Sequence, residues 1–253
     1  MVFVASAPGK NLLLGGYAVI IRPFASLITG VDKRAYSKAE KLDGNKIVFD
    51  IPRFNLLLEG TYENNKIILQ NEKPEAGIVK QSTQIALNYL QAIGVNTTGV
   101  KITTTTDSAF GSGTDKSGLG GSAAISATTV AAVFGEFGLD IKKYREQIHK
   151  LAQIAHAKAQ GKLGSGFDVA AAVYATCSYA RFSPDLVNNF PNEPIVKQVK
   201  EIAEKQWDYV ISSVEIPKQF VVAQANLVGG STSTAEMIKL WRTYEKQDKS
   251  GFD

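Results

Sequence analysis

Lys116-Ser-Gly-Leu-Gly-Gly-Ser-Ala-Ala124 is a glycine-rich turn running into an alanine-rich segment, an order of residue types that can cradle phosphate. Glycines let successive main-chain N–H groups converge on an anion, and a helix starting there adds the positive end of its dipole. The expected ligand is a nucleoside triphosphate. Ser122, just inside the expected helix, carries a hydroxyl that can reach a phosphate or a phosphate-bound Mg²⁺. A flexible turn ahead of an ordinary helix has the same composition, so the stretch needs partners elsewhere in the chain.

Two familiar phosphate loops are excluded. Gly111-Ser-Gly-Thr-Asp-Lys-Ser-Gly118 evokes a Walker A loop, but that pattern needs Gly immediately before the Lys, and Asp115 stands there. A dinucleotide fold is excluded too, because no strand–GxGxxG–helix unit is followed about 20 residues later by a ribose-binding acid. Composition narrows the classes further. The 253 residues allow one or two domains, 44% are hydrophobic and 21% charged, and no apolar run reaches the ~18 residues of a membrane span. A net charge of +4 suits anionic small molecules, and without an arginine-rich or aromatic-interleaved patch no nucleic-acid partner is expected. The N-terminus lacks a basic region followed by a long apolar one, and the single Cys177 cannot form an internal disulfide, so a cytoplasmic location is expected. Cys177 reads as a small buried hydrophobe, and Cys/His metal sites are excluded by spacing.

The elements that must position the turn follow from periodicity. Residues 1–36 read as strand, turn, strand, with Val2–Ala5 ahead of a turn at Pro8-Gly9-Lys10, then Leu12–Leu14, and Tyr17–Ile21 after Gly15-Gly16. Further strands are expected at Ala25–Ile28, Lys46–Phe49, Lys66–Leu69 and Val100–Thr106. Helical spacing predicts helices over Val79–Ile93, Ala123–Phe137 and Asp140–Gln160. Beyond these, a short helix at Ala170–Ala172 leads into a strand at Val173–Phe182. A loop and an amphipathic helix fill 183–206, strands are expected at Tyr209–Val214 and Phe220–Ala225, and a helix at Thr234–Tyr244. A lobe boundary is expected near Ser183-Pro184.

Three separated segments supply the partners: Ser6-Ala-Pro-Gly-Lys-Asn-Leu-Leu-Leu-Gly-Gly-Tyr-Ala-Val19, Gly118-Leu-Gly-Gly-Ser-Ala-Ala124 and Gln160-Gly-Lys-Leu-Gly-Ser-Gly-Phe-Asp-Val169. In this order and spacing they resemble the GHMP kinase superfamily. The first is similar to its APGK motif, and the second to its Gly-Leu-Gly-Ser-Ser-Ala loop with Gly121 in place of the first Ser. Gly15-Gly16-Tyr17, the run at 160–172 and Gly229-Gly-Ser-Thr-Ser-Thr234 resemble the phosphomevalonate kinase branch; mevalonate kinases usually carry Gly-Glu-His in the first motif.

This resemblance implies an α+β fold of two lobes. Residues 1–182 would form an ATP-binding lobe like domain 2 of ribosomal protein S5, and 183–253 the start of a C-terminal α/β lobe. The superfamily's third glycine-rich motif lies beyond the stretch at 229–234, so the second lobe is expected to be cut short. The implied activity is Mg²⁺-assisted transfer from ATP to mevalonate 5-phosphate, giving the 5-diphosphate, a step of isoprenoid precursor synthesis. Mevalonate kinase or another small-alcohol kinase, and a GHMP-fold sensor that transfers nothing, stay open as alternatives. The implied partners are small molecules; nucleic acid and membrane are not among them, and the oligomeric state is open.

Site residues are carried over position by position. Lys10 and Asp168 are the implied catalytic pair, Asp168 taking the acceptor's proton or assisting through the metal, and Lys10 polarising the acceptor oxygen. Gly118, Leu119, Gly120, Gly121, Ser122 and Ala123 would hold the nucleotide, with Ser122 also on Mg²⁺. Tyr17, Lys116, Ser165, Ser231 and Thr232 would contact the acceptor, and Lys162 could neutralise charge. Outside the motif, Asp168 would read as a helix N-cap and Lys10 as a solvated turn lysine. His149 and His156, seven apart on one helix, read as flanking a core stripe.

Overall fold

In the computed structural model, residues 2–113, 117–191, 195–217, 219, 221, 239, 240, 243 and 244 are described. Backbone contacts divide the chain into two compact units, Met1–Ile216 and Pro217–Asp253. In the second, the Thr243 hydroxyl donates to the Lys239 carbonyl at 2.9 Å, a helical back-bond. All of the expected strand at Phe220–Ala225 except Val221, and most of the expected helix at Thr234–Tyr244, lie outside the described residues.

In the first unit a mixed sheet is formed by β1 (Val2–Leu14), β2 (Ala25–Leu42), β3 (Lys46–Ile51), β4 (Leu56–Glu63), β5 (Lys66–Leu69), β6 (Gly99–Thr106), β7 (Cys177–Ala180) and β8 (Val210–Ser213). The strand order is β5-β4-β3-β6-β2-β7-β8, with β1 paired to β2. Among the described residues, only β3 and β6 pair in parallel. The long β2 organises the whole. One edge carries β1 along most of its length, while the other carries β6 against Ala35–Leu42 and β7 against Ala25–Ile28. Between those two stretches the edge is closed by loops: Arg34 N–H donates to the Asp107 carboxylate at 2.7 Å, and Gly30 N–H to the Thr176 hydroxyl at 3.2 Å.

Helices α1 (Gly77–Ala92), α2 (Gly121–Glu136), α3 (Arg145–Gln160) and α4 (Phe167–Tyr174) surround the core, with short α5 (Asp185–Asn188) and α6 (Val196–Glu204) beyond. α2 is buried on nearly every side because its residues are small: Ala123, Ala124, Ala127, Val130, Ala131, Ala132 and Val133 all lie in the core. An all-apolar or small-residue helix of this kind belongs inside a fold. The facing strand β2 presents Ala35, Ser37 and Ala39, each fully buried, which lets α2 approach closely. Hydroxyls fix its register: Ser37 Oγ lies 2.7 Å from Thr128 Oγ1, and Ser82 Oγ lies 2.9 Å from Ser126 Oγ. Phe134 stacks on Tyr89 of α1 at 5.3 Å and meets Tyr144 edge-on at 6.0 Å. Truncating such a buried ring to Ala costs about 3–5 kcal/mol.

Several expectations change. Pro8-Gly9-Lys10 is an irregularity within continuous β1, not a turn between strands, with a register shift between Pro8 and Lys10. Pairing with β2 resumes at Lys10 opposite Gly30, and the Lys10 N–H donates to the Leu119 carbonyl at 3.0 Å, so the irregular stretch also meets a distant loop. Tyr17–Ile21 forms a 3₁₀ turn at Ala18–Ile20 in place of a strand. The helix expected from Asp140 begins at Arg145, and the strand expected over Val173–Phe182 shortens to β7 because α4 continues to Tyr174. At the expected lobe boundary the chain stays within the first unit, since Ser183 N–H donates to Asp208 at 2.7 Å and β7 pairs with β8.

Candidate active site

The bulge in β1, the start of α2 and the start of α4 converge. Lys10 supplies two bonds to the glycine-rich turn, from its main-chain N–H to Leu119 and from its ammonium to the Gly118 carbonyl at 2.8 Å. Gly120 then caps α2 in the left-handed conformation, with φ of 75°. A side chain there would be strained by backbone and by space alike, because a Cβ would lie 3.1 Å from Lys10 Cε and 3.7 Å from Asp168 Cβ. Those distances bring Lys10 and Asp168 together over Gly120 at the helix start. The Phe167 ring, next to Asp168, lies 5.2 Å from the Lys10 ammonium and adds a cation–π contact.

The electrostatics follow from burial. Desolvation holds the Lys10 ammonium below its ordinary 10.5, and the Asp168 carboxylate opposes that shift. A lysine so placed is a donor whose charge has few competing waters. Asp168 is the second residue of α4 and half-buried, and its Oδ1 accepts the Val169 N–H at 2.9 Å. The cap of α4 is Gly166, so Asp168 is not the N-cap that an isolated reading gives.

Ser122, exposed and second in α2, takes part in a small cluster: its Oγ lies 3.0 Å from His156 Nε2, and Gln160 Nε2 lies 2.9 Å from the same nitrogen. A carboxamide nitrogen only donates, so in this arrangement the imidazole nitrogen accepts, and the Ser122 hydroxyl donates to it. The serine oxygen also accepts from Gln160 Nε2 at 3.4 Å, which leaves one lone pair for a cation. His156 therefore differs from His149. His149 is fully buried and its pKa is pushed down to about 3 by burial, with Lys150 and Arg145 adding to the effect. His156 is half-exposed beside the expected nucleotide loop. Its signal in the sequence was the helical i, i+4 spacing to Gln160, the residue that opens the third motif.

Gly121, where the superfamily has Ser, has a steric reason: a Cβ there would meet Phe110 Cδ1 at 3.1 Å. The same ring packs against Gly9. Arg53 also reaches this loop, its Nε donating to the Gly113 carbonyl at 3.0 Å. Ala123 is fully buried, so only its main chain can face a ligand. Ser165 is buried, Tyr17 is 40% exposed at the start of its 3₁₀ turn, and Lys162 is exposed. Lys116, Ser231 and Thr232 lie outside the described residues. Cys177 is buried and its thiol is pushed up to about 11 by desolvation, as suits an inert core residue.

Residues 78–176 match the GHMP kinases N terminal domain. The chain is 29% identical over 304 residues to phosphomevalonate kinase of Gibberella zeae, a match covering 96% of this chain and 68% of that one. It spans about two thirds of the length of the curated relatives it matches over nearly all its own length. Among solved structures, a Listeria innocua protein superposes with a TM-score of 0.79 at 22% identity, covering all of this chain and 68% of that one. Streptococcus pneumoniae phosphomevalonate kinase in complex with phosphomevalonate and AMPPNP superposes with a TM-score of 0.67 at 19% identity, covering 84% and 59%. These likenesses establish the α+β fold. The domain match, with the motifs that meet at Gly120, shows that the chain carries a GHMP kinases N terminal domain over residues 78–176.

Proposed function

We propose that the chain transfers the γ-phosphoryl group of ATP to the phosphate of mevalonate 5-phosphate, giving the 5-diphosphate and ADP. The observation that carries this is the meeting of Lys10 and Asp168 beside Gly120, at the positive end of α2. An oxygen of the acceptor's phosphate forms the new bond to the γ-phosphorus as the bond from that phosphorus to the ADP oxygen breaks. Any proton on the acceptor phosphate passes to the Asp168 carboxylate, and the Lys10 ammonium offsets the charge gathering on the transferred group. Phosphoryl transfer needs positioning and charge compensation above all, and both are supplied here by groups already in place.

The oxygen donors fit Mg²⁺. Among the described residues no group of three or more His, Cys, Asp or Glu could hold a metal alone, and Mg²⁺ ordinarily binds through one or two protein oxygens together with substrate phosphates and water. Ser122 Oγ, with its proton turned to His156, and Asp168 would be those oxygens. When bound, the ion would neutralise charge on the β- and γ-phosphates. No helix among the described residues is long and apolar enough to cross a membrane, and a cytoplasmic location is part of the proposal.

The test is coupled ADP release with mevalonate and mevalonate 5-phosphate offered in parallel. Turnover with the phosphorylated acceptor is expected. Turnover with mevalonate alone would reassign the acceptor to an alcohol, and tight ATP binding with no turnover would make the chain a sensor.

A further inference from the structure

We propose that Gln153, Tyr179 and Arg181 are positioning residues for Asp168, holding the turn ahead of α4 from its interior side; the idea rests on the catalytic reading of Asp168 given above. Three successive carbonyls of that turn each accept from a different side chain. Arg181 Nη2 donates to Gly164 at 3.2 Å, Tyr179 Oη to Ser165 at 3.0 Å, and Gln153 Nε2 to Gly166 at 2.7 Å. All three donors are buried, at 9%, 0% and 2% exposure, so they compete little with water and their bonds are costly to lose.

Each donor is itself held. Gln153 spends its second amide hydrogen on His149 Nε2 at 3.0 Å, which requires that nitrogen to be unprotonated, and burial keeps His149 neutral. The imidazole in turn sits edge-on between Tyr174 and Tyr209, with centroids 5.3 and 4.8 Å away. Arg181 also donates from Nη1 to the Ile20 carbonyl at 3.1 Å. One guanidinium therefore ties the 3₁₀ turn after Gly15-Gly16-Tyr17 to the turn before Asp168.

The fit behind Gly166 leaves no slack. Its φ is +81°, and a Cβ would come within 2.7 Å of Gln153 Oε1 and 2.9 Å of Tyr179 Oη. Gly166 caps α4 and also accepts the Ala170 N–H at 3.0 Å, so its position is transmitted to Asp168 in the first helical turn. With three carbonyls fixed inward, the backbone that carries Asp168 cannot shift away from Lys10 without breaking buried bonds. A misplacement of about 1 Å at a reacting group can cost on the order of a hundredfold in rate.

The test is Tyr179→Phe, which removes one hydroxyl and keeps the ring, with Gln153→Glu and Arg181→Lys in parallel in case one variant fails to fold. Three quantities are read on the full chain: kcat with ATP and mevalonate 5-phosphate, the dissociation constant of a non-hydrolysable ATP analogue, and hydrogen exchange of the α4 amides against those of α2. A kcat lower by about tenfold is expected, with analogue affinity within about twofold and exchange raised in α4 alone. Unchanged exchange in α4, or kcat and analogue affinity falling together with exchange raised in α2 as well, would overturn the proposal in favour of a plain stability role. Should the wild-type chain turn over no acceptor, the functional reading fails, and the exchange comparison still decides the positioning.

Discussion

The two glycine-rich turns at the site are anchored in opposite ways. The carbonyls of Gly118 and Leu119 accept from Lys10, a member of the site itself, whereas those of Gly164, Ser165 and Gly166 accept from buried scaffold side chains. The first turn thus depends on the residue that handles charge. The second presents its acid on a frame that no reacting group supports, so removing the acid should leave the frame intact. Substitution at the two positions should therefore have different signatures.

Asp168→Asn carries the largest expected effect, a loss of turnover on the order of a thousandfold, with the fold and its melting temperature unchanged, because the carboxylate's hydrogen bond is a local one to the neighbouring Val169 N–H. Steady-state ADP release checks it. Lys10→Met should lower turnover by on the order of a hundredfold and also loosen the 118–120 turn, since one side chain serves both. In the wild-type chain the lowered Lys10 pKa places the loss of turnover on the alkaline side below the usual lysine range, as the ammonium deprotonates. A pH–rate profile measures that limb, and one extending unchanged through pH 10.5 would contradict it.

Gly120→Ala blurs the contrast from the first turn's side. The left-handed backbone costs about 1–2 kcal/mol, and the new methyl presses on Lys10, so both melting temperature and turnover should fall. Smallest near neutral pH, and growing as pH falls, is the effect of pH through His149. Its folded pKa of about 3 lies below the ordinary 6.5, so the fold favours the neutral form. Stability is then fully present above pH 6.5 and declines as pH falls toward 3, by up to about 1.4 kcal/mol per pH unit. Denaturant unfolding across that window should show the slope, and His149→Asn should flatten it.

Much of this was legible in the residues, and what was not has identifiable physical causes. Helices α1 and α2 begin and end within about two residues of the spacing-based expectation, because Val79 through Leu90 and Ala123 through Phe134 face a core with helical periodicity or on all sides. β4 escaped notice: Leu56-Leu57-Leu58 does not alternate in type, although in the sheet Leu58 is buried and Leu57 exposed. The bulge at Pro8-Gly9-Lys10 has the residue types of a turn, yet Pro8 and Lys10 both stay paired to β2 and Lys10 also bonds Leu119, more than 100 residues away. Lys10, Gly120 and Asp168 were readable from motif residues. Gln153, Tyr179 and Arg181 were not, since their function lies in donors that reach carbonyls 13 to 17 residues away in the chain.

Calorimetric titration of a non-hydrolysable ATP analogue into Lys10→Met and Asp168→Asn tests the contrast between the two turns most directly. Asp168→Asn should bind within about twofold of the wild-type chain, and Lys10→Met about tenfold more weakly, as expected when one turn hangs from its own lysine and the other from the scaffold. Equal affinities in the two variants, or a larger loss in Asp168→Asn, would contradict it.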